Sequence, residues 1–198
     1  MVVTKTEAVT KTKYKVYIDG QFAFVLYKGE LSRYHIREGE EISDAAYEKI
    51  RGEVLAKRAK LRAMHLLNAM GRTESQLKDK LRQGGYPEDI VEAALDYVKS
   101  FGYVNDAAYA RGFIEGRKDR KSRKELYMLL KGKGISSGDI EKAMEECYGE
   151  GDSSEAIRKL MQKKRYRPEE ASYEDRKKFM AYLVRKGFSY EDVYRHLN

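Results

Sequence analysis

Leu77-Lys78-Asp79-Lys80-Leu81-Arg82-Gln83-Gly84-Gly85-Tyr86 decides how the chain is read, because its frame returns twice. Leu126, Leu130, Gly134 and Ile135 repeat it, and so do Phe179, Leu183, Gly187 and Phe188. The glycines lie 49 and then 53 residues apart. Two apolar residues four apart share one helix face. A glycine four residues later supplies the left-handed position that stops a helix, and the apolar residue after it folds back onto the last turn. Each frame is followed at one offset by a second apolar pair: Val91 and Leu95, Ile140 and Met144, Val193 and Leu197. Each is preceded by an amphipathic stretch: Leu61 to Met70, Ala107 to Ile114, Ala156 to Met161.

The spacing therefore predicts three tandem three-helix repeats, over 51–105, 106–150 and 151–198. Stacked repeats of this kind make an elongated array with a long binding surface rather than a catalytic cleft. Capping signals fall where the helices should start: Thr73 with Gln76, Ser122 with Glu125, Ser189 with Asp192, and Asn105 before Asp106. Pro87 suits a first helical position.

Residues 1–50 read differently. Tyr14, Val16 and Ile18 alternate with Lys15, Tyr17 and Asp19, and Asp19-Gly20 is a tight-turn signal before the β-rich run Phe22 to Tyr27. Leu31 to Ile36 fits either a third short strand or a helical turn. An isolated hairpin is marginal in water, so this one should pack on the helices after it. Ser43 and Asp44 can cap the next helix, whose stripe through Val54, Leu55, Leu61, Met64, Leu66 and Leu67 should end at Met70 and Gly71. The expected fold is mainly α: three helical repeats behind a small extension containing a β-hairpin.

The chain has 198 residues, 40 Lys and Arg against 32 Asp and Glu, and a formal net charge of +8. Residues 1–50 are neutral, so the whole excess lies in the helical part. No apolar run is long enough to span a bilayer, and the polar stretch Met1 to Thr12 has no apolar core of a signal peptide. The single cysteine, Cys147, can form neither an intrachain disulfide nor a cysteine-based zinc site. These features predict a cytoplasmic protein, with no membrane partner, no metal and no cofactor. No phosphate-binding loop, nucleophile elbow or HExxH motif is present, and His35, His65 and His196 lack ligand spacing. An enzyme is the weaker class.

Three cationic runs stand out. They are Lys57, Arg58, Lys60 and Arg62; then Arg117, Lys118, Arg120, Lys121, Arg123 and Lys124; then Lys163, Lys164, Arg165 and Arg167. The second and third come after the first helix of their repeats, so they should lie on one side of the array as a phosphate track. Arg72, Arg111, Arg185 and Lys186 complete the candidate basic surface. Sixteen tyrosines supply rings that could pack in cores, stack on bases or anchor an interface.

One further feature is more specific. Ala69-Met70-Gly71-Arg72-Thr73-Glu74-Ser75-Gln76-Leu77, followed by Phe101-Gly102-Tyr103-Val104-Asn105-Asp106 and Tyr109-Ala110, then by the Leu126 to Ile135 frame, resembles the bacterial RecX family. The resemblance covers about 55–198 and is faintest in the third repeat, where Tyr166 to Tyr173 departs from the pattern. It implies a non-enzymatic monomer that binds the filament of the RecA recombinase, lies in its groove, contacts single- and double-stranded DNA without sequence preference, and mostly inhibits recombination and repair within the SOS response. It implies no catalytic residues. The competing expectations are a DNA-binding repeat protein with no recombinase partner and, least favoured, a carboxylate-metal hydrolase.

Overall fold

The computed structural model describes residues 1–197, apart from the side chain of Glu150; Asn198, the end of the third expected repeat, lies outside the described residues. The chain begins with an antiparallel sheet of order β1-β2-β3, formed by Val3–Ala8 (β1), Lys13–Ile18 (β2) and Gln21–Tyr27 (β3). Asp19 and Gly20 turn β2 into β3 with φ of 49° and 82°, the two positive values that a primed hairpin turn needs. Val16, Ile18, Phe24 and Leu26 are buried, as their alternation predicts. β1 escapes the sequence reading. Its residues are Val-Thr-Lys-Thr-Glu-Ala, and only Val3 is buried. Such a strand is an edge, polar on its free side, and carries no apolar alternation.

Leu31 belongs to a helix, α1 (Lys28–Arg33), whose Glu30 carboxylate accepts from the Tyr27 N–H at 2.7 Å. Ser43 caps α2 (Asp44–Lys49), accepting from the Ala46 N–H. A π-helical stretch (Ile50–Ala56) then runs into α3 (Lys57–Ala69). The buried stripe here is Leu55, Ala59, Ala63 and Leu66, whereas Leu61 and Met70 are 68% and 59% exposed. Val54, Met64 and Leu67 pack against the same core, so the expected stripe fails only at Leu61, about 200° around the helix from Ala59, and at its end, Met70. The helix ends at an extended Met70 and not at a left-handed Gly71.

The rest of the chain is α4 (Glu74–Gln83), α5 (Glu88–Ser100), α6 (Asp106–Glu115), α7 (Arg123–Lys131), α8 (Ser137–Cys147), α9 (Glu150–Lys164), α10 (Tyr173–Arg185) and α11 (Tyr190–Leu197). Gly85, Gly134 and Gly187 take φ of +78°, +82° and +89°. The amides of Ile135 and Phe188 reach back to the carbonyls of Leu130 and Leu183, the wrap that the repeated frame anticipates. All six residues of the second apolar pairs are buried. Thr73 and Gln76 form a reciprocal capping box, while the Asn105 and Ser189 side chains accept from the N–H groups of Ala108 and Asp192. Two expectations shift. Pro87 sits one residue earlier, at the cap of α5. Ser122 caps α7, but the Glu125 carboxylate turns to Lys121 and Lys186 instead of closing the box.

The chain divides into two compact bodies, 1–104 and 105–198. In the first, the sheet and the first repeat share one core containing Val16, Phe24, Leu26, Leu55, Leu77, Leu81, Val91 and Leu95. The extension is thus built into the first repeat. A Cβ on Gly85 would lie 2.5 Å from Val25 Cγ2. The second body holds two cores, one for each of its repeats, around Ile114, Leu126, Leu130 and Ile140 and around Ile157, Leu183, Phe188 and Val193.

Candidate nucleic-acid interface

The second body contains a cleft of about 640 Å³ where the segment between α6 and α7 meets α9 and the end of α10. Seven cations line it: Arg117, Arg120, Lys121, Lys159, Lys163, Lys164 and Lys186. Gly116, Leu160 and Tyr182 complete the wall, and no carboxylate lines it among the described residues. Members of the second and third cationic runs therefore meet in one cleft.

The local sequence explains how these side chains are held. The Arg117 guanidinium lies 4.1 Å from the centre of the Phe113 ring, one turn earlier on α6, and donates to the Phe113 carbonyl. Such a ring contact positions a cation without neutralising it. Arg120 donates to the Gly116 carbonyl at 3.1 Å. Lys159 and Lys163, four apart, share one face of α9. Lys159 pairs with Asp119 at 2.7 Å and Glu155 at 2.9 Å, whose hydrogen bonds raise its pKa. The same contact, with help from Arg120, holds the Asp119 carboxyl below its ordinary range. Lys164 lies over the Tyr182 ring. The acids that pair with these lysines, Asp119, Glu125 and Glu155, are not among the residues lining the cleft.

The remaining candidates divide. Lys118 is absorbed structurally: it pairs with Glu115 at 3.1 Å and Asp152 at 3.6 Å and donates to the Cys147 carbonyl, joining α6, α8 and α9. Arg111 pairs with Glu146 across α6 and α8. Arg123 and Lys124 line a different cleft, with Tyr127, Tyr148 and Phe188, and Arg185 shares a third with Lys124 and Lys186. Arg165 and Arg167 line a cavity inside the third repeat. In the first body Arg58 pairs with Glu30 at 3.0 Å and lies over the Tyr27 ring, a half-buried tie between α3 and the extension. Arg72 donates to the Leu66 carbonyl at the end of α3, and Arg62 is exposed. Lys159 is the cleft residue that the sequence reading missed. Its signal was the four-residue step to Lys163.

Among the described residues no three His, Cys, Asp or Glu side chains are placed to hold a metal ion. His196 bonds the Asp192 carbonyl one turn back on α11. Burial, reinforced by Glu115 and Glu146, raises the Cys147 pKa. No helix among the described residues is long and apolar enough to cross a membrane.

Three-helix units in tandem, each with a left-handed glycine between its second and third helices, and a cation-lined cleft between the second unit and the third, define a helical-repeat protein. Comparison with known proteins places it more narrowly. Residues 59–97, 105–144 and 150–197 match the first, second and third three-helix domains of RecX respectively, and the chain belongs to the RecX family of regulatory proteins. It is 34% identical over 188 residues to "Regulatory protein RecX" of Caldanaerobacter subterraneus subsp. tengcongensis, covering 94% of this chain and 93% of that one. It is 27% identical to the protein of the same name in Clostridioides difficile, across 100% of this chain and 94% of that one. A solved structure described as "Crystal structure of regulatory protein RecX" superposes with a TM-score of 0.67 at 27% identity, over 99% of this chain and 98% of that one. RecX from Lactobacillus salivarius gives 0.64 at 25% identity, over 72% of this chain and 96% of that one.

Proposed function

We propose that this protein is a non-enzymatic, cytoplasmic regulator of the RecA recombinase. In this reading it binds the RecA–DNA filament as a monomer and mostly restrains recombination and repair. The observation that carries the DNA-contacting part is the cleft lined by seven cations and no carboxylate. A surface of that kind attracts phosphates regardless of sequence, with an affinity that falls steeply as salt rises. The recombinase partner rests on family membership. The repeats, taken as 51–105, 106–150 and 151–198, supply the surface, and the extension 1–50 supports the first of them.

The structure sharpens the choice of test residues. Reversing Lys118 or Lys121 would break their ion pairs with Glu115, Asp152 and Glu125, whereas Arg117, Lys163 and Lys164 line the cleft together with Arg120, which pairs with its chain neighbour Asp119 at 3.2 Å. The four-fold variant Arg117→Glu, Arg120→Glu, Lys163→Glu, Lys164→Glu should lose most DNA binding, and each lost phosphate contact should lower the salt slope by about 0.9. RecA's DNA-dependent ATP hydrolysis and strand exchange, measured with equimolar protein, test the partner. No effect of the wild type on either would refute the recombinase reading. Salt-dependent DNA binding without any effect on RecA would instead favour a DNA-binding repeat protein acting alone.

A further inference from the structure

The loop between α9 and α10 is where the chain departs from the pattern of the other repeats, and the basic cleft does not account for it. α9 closes with the same backbone device as the other frames: the Arg165 N–H reaches the Gln162 carbonyl and the Tyr166 N–H reaches that of Met161. The left-handed residue, however, is Arg165 at φ 52°, where those frames place glycine. An arginine there is conformationally strained, and strain of this kind clusters at binding sites. The residue stands at a cavity of about 520 Å³, within the range of small-ligand sites, about 300–1,000 Å³. Lys164, Arg167 and Lys178 line the same cavity. Its two acids, Glu170 paired with Arg167 at 2.7 Å and Asp175 accepting from the Ser172 hydroxyl at 2.7 Å, leave the lining with a formal charge of +2.

The cavity also has aromatic walls. Tyr166 stacks on Phe179 with ring centres 4.1 Å apart and planes within 9°, and Tyr182 lies beside Phe179 at 5.7 Å. Lys164 and Tyr182 line both this cavity and the seven-cation cleft. Cations alone would suit any polyanion. Cations around stacked rings suit a group that carries an anion and a flat π-face together.

We propose that this cavity receives a nucleotide, its base against the Tyr166 and Tyr182 rings and its phosphate on Arg165 and Arg167. The nucleotide is an unpaired residue of a single strand whose backbone continues through the cleft. The inference rests on the reading of that cleft as a phosphate track. It deepens the reading by assigning the third repeat a preference for unpaired over paired DNA.

Fluorescence anisotropy with a labelled oligothymidylate, an abasic strand of the same length and charge, and a duplex tests this on the full chain. The wild type should bind oligothymidylate about tenfold tighter than the abasic strand, as expected of one stacked base. Arg165→Gly removes a cation while relieving backbone strain. It should fold at least as stably as the wild type by thermal denaturation, lose most of the preference for oligothymidylate, and leave duplex binding nearly unchanged. Tyr166→Leu, at a ring that lines this cavity and is not among the residues lining the cleft, should lose the preference in the same way. Equal binding of abasic strand and oligothymidylate by the wild type would overturn the proposal, as would Arg165→Gly with an unaltered preference. Competition by thymidine monophosphate at the same concentration as by a strand nucleotide would reassign the cavity to free nucleotides. Oligoglutamate competing as well as oligothymidylate, charge for charge, would reassign it to acidic peptides. The four-fold cleft variant should lose duplex and single strand together, so failure of the cleft reading is seen separately.

Discussion

Gly187→Ala tests whether the left-handed glycine of a repeat does more than end a helix. Gly187 has φ +89°, and a Cβ built there would stand 2.8 Å from Ser122 Oγ and 3.0 Å from Lys124 Cβ. Ser122 is 1% exposed, caps α7 and donates to the Lys186 carbonyl at 2.6 Å. The substitution thus strains the backbone and pushes the end of α10 away from the start of α7. The backbone cost is about 1–2 kcal/mol for a left-handed alanine. Overpacking against a buried hydroxyl adds about 1–3 kcal/mol, and the sum is about 2–5 kcal/mol. Gly102→Ala is the control. Gly102 is also left-handed, at φ +69°, but nothing lies within 4 Å of its added Cβ, so it should cost only the backbone part, about 1–2 kcal/mol. Urea denaturation followed by circular dichroism measures both, and hydrogen exchange by mass spectrometry should show the loss of protection in α7 and α10 for Gly187→Ala. Equal destabilisation by the two variants would refute the close-packing argument and leave only the helix-stopping role.

Three other outcomes are expected. Gly85→Ala places a Cβ 2.5 Å from Val25; it should exceed the Gly102→Ala cost by about 1–3 kcal/mol in urea denaturation and reduce exchange protection in β3 and α4. Glu88 is held at a pKa of about 2 by hydrogen bonds from Arg82 and Lys78. A depressed pKa contributes stability that is complete above the ordinary carboxylate range and is lost as pH falls toward about 2; Glu88→Gln should therefore flatten the acid limb of a denaturation-versus-pH series without changing the limb above neutrality. The Cys147 thiol, its pKa raised chiefly by burial, should react more slowly with Ellman's reagent at pH 8 than a model thiol, and a rate equal to the model's would contradict the structure.

The repeat frame was legible because each of its parts is local. Two apolar residues four apart, a glycine and an apolar residue encode a helix end whatever surrounds it, and Leu126, Leu130, Gly134 and Ile135 form that end as read. The Asp19-Gly20 hairpin was legible for the same reason. β1 was not, because an edge strand is defined by its partner and Thr4 to Glu7 carry no pattern of their own. On α3 the stripe through Leu55 and Leu66 was legible, but Ala59 and Ala63 were missed and Leu61 misplaced, because a small residue is buried through close approach of its neighbours and not through side-chain size.

Among the basic residues the division runs along the same line. Runs of Lys and Arg are visible in the chain, but the free or engaged state of each cation depends on acids distant in sequence. Arg58 meets Glu30 from 28 positions away, Lys118 meets Asp152 and Lys159 meets Asp119. Composition and periodicity were sufficient for a neutral β-containing start and a basic array of three-helix repeats, since helix ends and net charge are local or additive properties, while the family resemblance rested on particular residues such as Phe101 to Asp106. Which cations share a cleft, and that Arg165 occupies a left-handed position beside stacked rings, are matters of long-range packing. They emerge only when α6, α7, α9 and α10 are brought together.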